Sequence, residues 1–130
     1  MDICEQNGHK LINSDVFDGL NLVPDNSIDL IFIDPPYNIG KNFNTTKDRW
    51  ITNEDYLNWS YSWIDLCVKK LRSNGSLYIM TSTQFMPYYD IYIRQKLTVL
   101  SRIIWYYDSS GVQTKKYYGN IVHINVLNEI

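Results

Sequence analysis

The chain has 130 residues, with 12 Lys and Arg against 14 Asp and Glu and a formal net charge of −2. That length suits one domain, since domains usually run to about 100–200 residues. A composition of 45% hydrophobic and 20% charged residues excludes a disordered or fibrous chain, and the longest apolar runs are far shorter than a membrane span.

In chain order, residues 10–13 read as a short strand that ends at Ser14-Asp15, and a helical turn over 16–20 follows. Pro24-Asp25-Asn26-Ser27 is a turn, because Pro presets φ and Asp and Asn accept tight-turn geometry. Residues 28–33, Ile-Asp-Leu-Ile-Phe-Ile, are β-branched and almost continuously apolar. They predict a central strand covered on both faces, as in a parallel sheet. The strand stops at Asp34-Pro35-Pro36, since proline has no N–H for the ladder.

Residues 38–50 form a polar loop rich in Asn, Lys and Thr. Thr52 is placed to cap a helix, with Asp55 where a capping box wants an acid. Tyr56, Trp59, Trp63, Leu66, Cys67 and Leu71 then make one helical stripe, whose spacing favours a core face over a cofactor wall. Lys69, Lys70 and Arg72 suit the helix dipole, and Ser73-Asn74-Gly75 offers a left-handed stop. A strand over 76–80, a helix over 83–97 containing Pro87, and strands over 102–107 and 121–127 complete the chain. Strands alternating with helices predict an open, mostly parallel α/β sheet, in which ligands sit beyond the carboxyl ends of the strands. Asp15, Asp34 and Thr81 fall at such ends, which would gather them around one crevice.

The near-neutral charge conceals an asymmetry. Residues 1–39 hold seven acids against Lys10, whereas Lys41, Lys47 and Arg49 outnumber Asp48, and Arg94, Lys96, Arg102, Lys115 and Lys116 outnumber Asp108. These basic segments are either solvated loop charges or a positive face suited to phosphates. Cys4, Cys67, His9 and His123 stand apart in sequence, so neither a zinc site nor a disulfide framework is expected. The first five residues lack a basic segment followed by an apolar stretch, so the expectation is a reduced cytoplasmic protein without a membrane partner.

Asp34-Pro35-Pro36-Tyr37 is the sharpest feature, a tetrapeptide met by chance in about one such chain in a thousand. A turn in which the prolines merely stop the ladder is the plain alternative. An apolar strand that delivers an acid, two rigid residues and an aromatic to the ligand edge of a sheet resembles the catalytic motif of the amino DNA methyltransferases. Asp in first position is the form favoured by the adenine-N6 enzymes, while Ser is commoner in the cytosine-N4 group. Asn13-Ser14-Asp15, the segment from Pro24 to Ile31, and Pro36-Tyr37-Asn38-Ile39-Gly40 are similar to the β-class branch. Tyr56, Trp59 and Trp63, followed by Leu71-Arg72-Ser73-Asn74-Gly75-Ser76-Leu77-Tyr78, are similar to its next two motifs.

The resemblance implies a Rossmann-like methyltransferase fold, S-adenosylmethionine as cofactor, double-stranded DNA as substrate, and a setting in restriction and modification. It implies that Asp34 and the Pro35 carbonyl accept the two N–H bonds of the target amine. Pro36 would stiffen the turn, and Tyr37 would stack on the extruded base. Asp15 and Thr81 would face the cofactor, although a helix N-cap explains Asp15 equally well. Lys41, Lys47, Arg49, Lys115 and Lys116 would contact DNA phosphates.

Cofactor binding in this family uses a glycine-rich turn resembling Phe-x-Gly-x-Gly, where glycine permits close approach of backbone to ligand. The six glycines here are at 8, 19, 40, 75, 111 and 119, and no two are separated by a single residue. The expectation is one incomplete catalytic domain over 1–130, its cofactor half lost or carried by a second chain, with little or no activity alone. The competing expectations are a remnant that binds DNA or a partner, and a small-molecule methyltransferase or nucleotide-binding module.

Overall fold

The computed structural model describes residues 1–40, 42–43, 46–106 and 121–128. An antiparallel hairpin of β1 (Asp2–Gln6) and β2 (His9–Asn13) comes first, followed by α1 (Val16–Asn21). It turns on Asn7 and Gly8, whose φ of 51° and 78° are the left-handed pair that a two-residue hairpin needs. Next come β3 (Ile28–Ile33), the short pair β4 (Asn42–Phe43) and β5 (Thr46–Lys47), and α2 (Asn53–Lys70). The chain continues through β6 (Leu71–Ser82), α3 (Met86–Ile93), β7 (Thr98–Tyr106) and β8 (Ile121–Asn128).

The main sheet has four strands in the order β3-β6-β8-β7. β3 and β6 are parallel, joined through α2 as a βαβ unit, which is the α/β architecture expected. The sheet is less parallel than its helix–strand alternation suggested. β8 returns beside β7 and lies between it and β6, antiparallel to both.

Helix α2 begins as its sequence requires. The Thr52 hydroxyl accepts the Asp55 N–H at 3.0 Å and the Asp55 carboxylate accepts the Thr52 N–H at 3.2 Å, which closes the capping box. Its buried face carries Tyr56, Ser60, Trp63, Ile64 and Cys67. Against it pack Leu77 and Ile79 of β6, with Phe85, Tyr89 and Ile93 in and beside α3. Tyr56 and Trp63 are therefore core, and burial pushes the Cys67 thiol up to about 12.

The end of α2 departs from expectation. No left-handed residue closes it, and the chain passes directly into β6 at Leu71. The turn before β3 takes up the helix's last carbonyls: the Asn26 and Ser27 N–H groups donate to Lys69 and Lys70 at 2.9 Å, and the Lys70 ammonium meets Asp25 at 2.6 Å. Gly75 serves close approach instead of a left-handed turn, because a Cβ there would lie 2.9 Å from the Ile28 carbonyl oxygen.

The helices cover one face of the main sheet at β6, where Leu77, Ile79 and Thr81 are buried, and leave the other face open at β3 among the described residues. β3 is an edge strand, not a central one, and Leu30 and Phe32 on its outer face are 60% and 58% exposed. On the same face by register, but further along the sheet and beyond the paired part of β3, lie Ile103 and Trp105 of β7, 42% and 54% exposed. The expectation of a strand covered on both faces is thus not met: the outer face of β3 is exposed among the described residues. No described helix is long and apolar enough to cross a membrane.

Two stability predictions follow from this packing. Gly75→Ala forces a carbon against main-chain oxygens that cannot yield, so thermal unfolding should show a loss of about 1–3 kcal/mol. Arg94 and Arg102 both hold the Asp90 carboxylate; burial pushes its carboxyl up, but the two guanidinium bonds outweigh burial and keep it below its ordinary 3.8. The linkage stabilises the fold above that value and is lost as pH falls through the lower native one. Acid titration of the thermal midpoint should therefore show a drop below about pH 4 that Asp90→Asn reduces.

Candidate active site

The last paired residue of β3 is Ile33, in register with Ile79 of β6. Beyond it Asp34 is exposed, and Pro35 and Pro36 take the chain out of the ladder. Two side-chain bonds hold this turn. The Tyr37 hydroxyl donates to Asp34 Oδ1 at 2.5 Å, closing the tetrapeptide on itself. The Tyr56 hydroxyl donates to the Pro36 carbonyl at 2.7 Å, tying the turn to α2. Tyr56 is itself within 2.9 Å of the Tyr89 hydroxyl, which lies 2.7 Å from Ser60 Oγ. Burial pushes both phenols up from their ordinary value, so each remains protonated and able to donate.

Residues 38–40 and 48–50, which follow the tetrapeptide, are bonded to one another and packed against the same helix. Asn38 and Gly40 adopt φ of 57° and 79°. The Asp48 carboxylate accepts the N–H groups of Asn38 at 2.6 Å and Ile39 at 3.1 Å, while its carbonyl accepts the Gly40 N–H at 2.8 Å. The Asn38 side chain returns the constraint, accepting the Trp50 N–H at 3.0 Å. The Trp50 ring then packs 4.9 Å from Tyr56 and 4.7 Å from Trp59. Sequence reading missed Asp48, which looked like a stray acid in a basic loop. The available signal was Asn38 and Gly40, two residues tolerant of left-handed geometry that present adjacent N–H groups needing an acceptor.

The structure joins some of the predicted residues and separates others. Asp34, Pro35, Pro36 and Tyr37 form one turn, and extending the parallel register by two residues sets Thr81 level with Pro35. Asp15 does not reach this place by the expected route, because β2 belongs to the separate hairpin and not to the main sheet. Its carboxylate accepts the Phe17 N–H at 2.9 Å and caps α1. Arg49 is exposed beside Asp48. Lys41, Lys115 and Lys116, and the side chain of Lys47, lie outside the described residues.

A polar ligand fits the carboxyl end of β6. Thr81 Oγ1 is buried there without a hydrogen-bond partner among the described residues, a costly state that a ligand's polar group would relieve, and Ser82 Oγ is likewise unpartnered on the opposite face of the strand. The glycine-rich turn that the resemblance calls for is absent from the 130-residue sequence, so the Thr81 hydroxyl would hold only part of a nucleoside cofactor.

A DNA methylase family model matches residues 28–127. The DNA adenine methyltransferase YhdJ of Escherichia coli (strain K12) is 47% identical over 112 residues, which cover 85% of this chain and 37% of that protein. Among solved structures, the cytosine-N4-specific PvuII DNA methyltransferase superposes with a TM-score of 0.68 at 16% identity, over 90% of this chain and 48% of its own. The M1.HpyAVI complex with SAM gives a TM-score of 0.60 at 18% identity, over 91% and 54%. At these identities the structural likeness shows the fold. The chain spans 37% of the curated relative's length.

Asp48→Ala would leave the Asn38 and Ile39 N–H groups without their acceptor, at a cost of about 1–3 kcal/mol. Hydrogen exchange at these two amides should accelerate well beyond that of the α2 core, whereas Asp48→Asn, which keeps one carbonyl oxygen, should protect one of them.

Proposed function

The chain belongs to the DNA methylase family whose model spans residues 28–127, and on that premise we propose that it carries the catalytic-motif portion of an S-adenosylmethionine-dependent DNA adenine-N6 methyltransferase. The observation that carries this reading is the turn at the end of β3, where an exposed carboxylate and a stiff pair of prolines are held by Tyr37 and Tyr56. Adenine is favoured over cytosine because the first motif residue is Asp and because the 47% identical relative is a DNA adenine methyltransferase.

The exocyclic amine of adenine is a poor nucleophile, since its lone pair is delocalised into the ring. When bound, S-adenosylmethionine supplies a methyl group on a positively charged sulfur. The Asp34 carboxylate and the Pro35 carbonyl accept the two N–H bonds of the amine and favour a more tetrahedral nitrogen whose lone pair faces outward. Both acceptors are set before the base arrives, so little reorganisation opposes the reaction. Pro35 and Pro36 hold φ near its fixed value, which keeps the Pro35 carbonyl in one direction. The Tyr37 ring stacks on the extruded base, a contact worth about 1–3 kcal/mol. Thr81 faces the cofactor, and Lys41, Lys47, Arg49, Lys115 and Lys116 contact the phosphates of double-stranded DNA in the cytoplasm.

The cofactor half is supplied by further polypeptide, whether a second chain or not, that completes the sheet beside β3. Two observations support this. β3 is an edge strand whose Leu30 and Phe32 are exposed among the described residues, and the chain matches only 37% of its relative. A remnant that only binds DNA or a partner, and a small-molecule methyltransferase, are the readings that the following experiment separates from this one.

The chain is incubated with methyl-labelled S-adenosylmethionine and unmethylated duplex DNA, alone and together with the part of the E. coli relative that it does not cover. Label should enter DNA only in the complemented mixture, appear as N6-methyladenine, and fall by at least about a thousandfold with Asp34→Ala. Transfer that survives that substitution sinks the mechanism. Salt-sensitive DNA binding with no transfer favours the remnant, and label found only in small molecules favours the third reading.

A further inference from the structure

Between Ile33, the last residue in register with β6, and Asn38, whose N–H is taken by Asp48, the chain crosses two residues that have no N–H to donate. The Pro36 carbonyl, in the middle of this crossing, accepts the Tyr56 hydroxyl at 2.7 Å. Resting on the functional reading above, we propose that Tyr56 is a positioning residue for methyl transfer. Its hydroxyl fixes the Pro36–Tyr37 peptide plane and thereby the Pro35 carbonyl and the Tyr37 ring that hold the target base.

Proton arithmetic gives the bond its direction. The hydroxyls of Tyr56, Tyr89 and Ser60 have three protons for four short contacts: Tyr56 to Pro36, Tyr89 to Tyr56, Tyr89 to Ser60, and Ser60 to the Tyr56 carbonyl. A carbonyl has no proton to give, so only Tyr56 can fill the bond to Pro36. The remaining two protons are shared among three contacts, all of them inside the core. Whichever arrangement the core adopts, the proton on Pro36 comes from Tyr56. Burial keeps that phenol protonated, so the donor persists through the working pH range.

The anchor is stiff because Tyr56 is stiff. Its ring is fully buried, 4.5 Å from Phe85 and 4.9 Å from Trp50 between ring centres, and it lies in the first turns of a capped helix. The turn is thus clamped at both ends, by the ladder at Ile33 and by Tyr56 at Pro36. With φ locked at both prolines, little freedom remains for the Pro35 carbonyl between the clamps. A displacement of about an ångström at such a group can cost about a hundredfold in rate.

Tyr56→Phe keeps the ring and removes the hydroxyl, which makes the test specific. The sequence contains two Pro-Tyr pairs, Pro36-Tyr37 and Pro87-Tyr88. Labelling proline with carbon-13 at the carbonyl and tyrosine with nitrogen-15 at the amide therefore gives two correlated NMR signals, the second an internal reference. Tyr56→Phe should move the Pro36 carbonyl resonance upfield and leave that of Pro87 in place. In the complemented methyl-transfer assay it should lower kcat by about ten- to a hundredfold while KM for DNA stays within about twofold. Tyr89→Phe, which keeps the Tyr56 donor, should leave the Pro36 resonance nearly unmoved.

An unmoved Pro36 resonance in Tyr56→Phe overturns the proposal, as does an unchanged kcat beside a shifted resonance. So does an equal shift in Tyr89→Phe, which would assign the effect to the core and not to the hydroxyl. In each of these cases the functional reading stands if transfer still depends on Asp34. If wild-type transfer does not depend on Asp34, that reading fails and the catalytic role of Tyr56 falls with it, while the resonance still reports the bond itself.

Discussion

A strand that ends in two prolines gives up its ladder, so the chain beyond Ile33 has to be held by side chains. Nearly everything distinctive about this structure serves that constraint. Tyr37 closes on Asp34, Tyr56 reaches out of the core to the Pro36 carbonyl, and Asp48 gathers the next two N–H groups. The result is an exposed carboxylate on a backbone that is held at each end, the arrangement that preorganised hydrogen bonding to a reacting group requires.

These side chains can act as anchors because α2 is anchored first. Its capping box contributes on the order of 1 kcal/mol, whereas each large side chain buried on its inner face contributes about 1.5–3 kcal/mol. The cap decides where the helix starts, and burial of Trp63, Ile64 and Cys67 against Leu77 and Ile79 decides that it stays. Tyr56 sits in both worlds, with its ring in the aromatic cluster and its hydroxyl on the motif. Gly75 adds a backbone counterpart, since the close pass of β6 beside Ile28 leaves no room for a side chain.

Much of the site was legible in the chain because its signals are local. Proline's missing N–H, the Thr52-to-Asp55 spacing and the apolar run over 28–33 act within a few residues, and each was found where expected. What escaped was non-local. Asp48 acts on Asn38 from ten positions away, Tyr56 acts on Pro36 from twenty, and neither spacing belongs to a helix or a strand. The placement of β2 in its own hairpin was equally hidden, because a short strand does not announce its partner. That is why Asp15 reads from sequence as a neighbour of Asp34 and is found capping α1.

The exposed apolar residues of β3 and β7 illustrate the same division. Alternation and composition state that both faces of β3 are fit for burial, and they state nothing about what does the burying. By itself, then, the sequence determined where β3 ends and which residues stand there, the start and inner face of α2, and the family to which the chain belongs, because each is written in adjacent residues. Only the tertiary structure decided which hydroxyl holds the Pro36 carbonyl, which carboxylate holds the backbone behind it, and that β3 stands at the edge of its sheet. These depend on contacts between segments distant in the chain, which come into being when the core has packed.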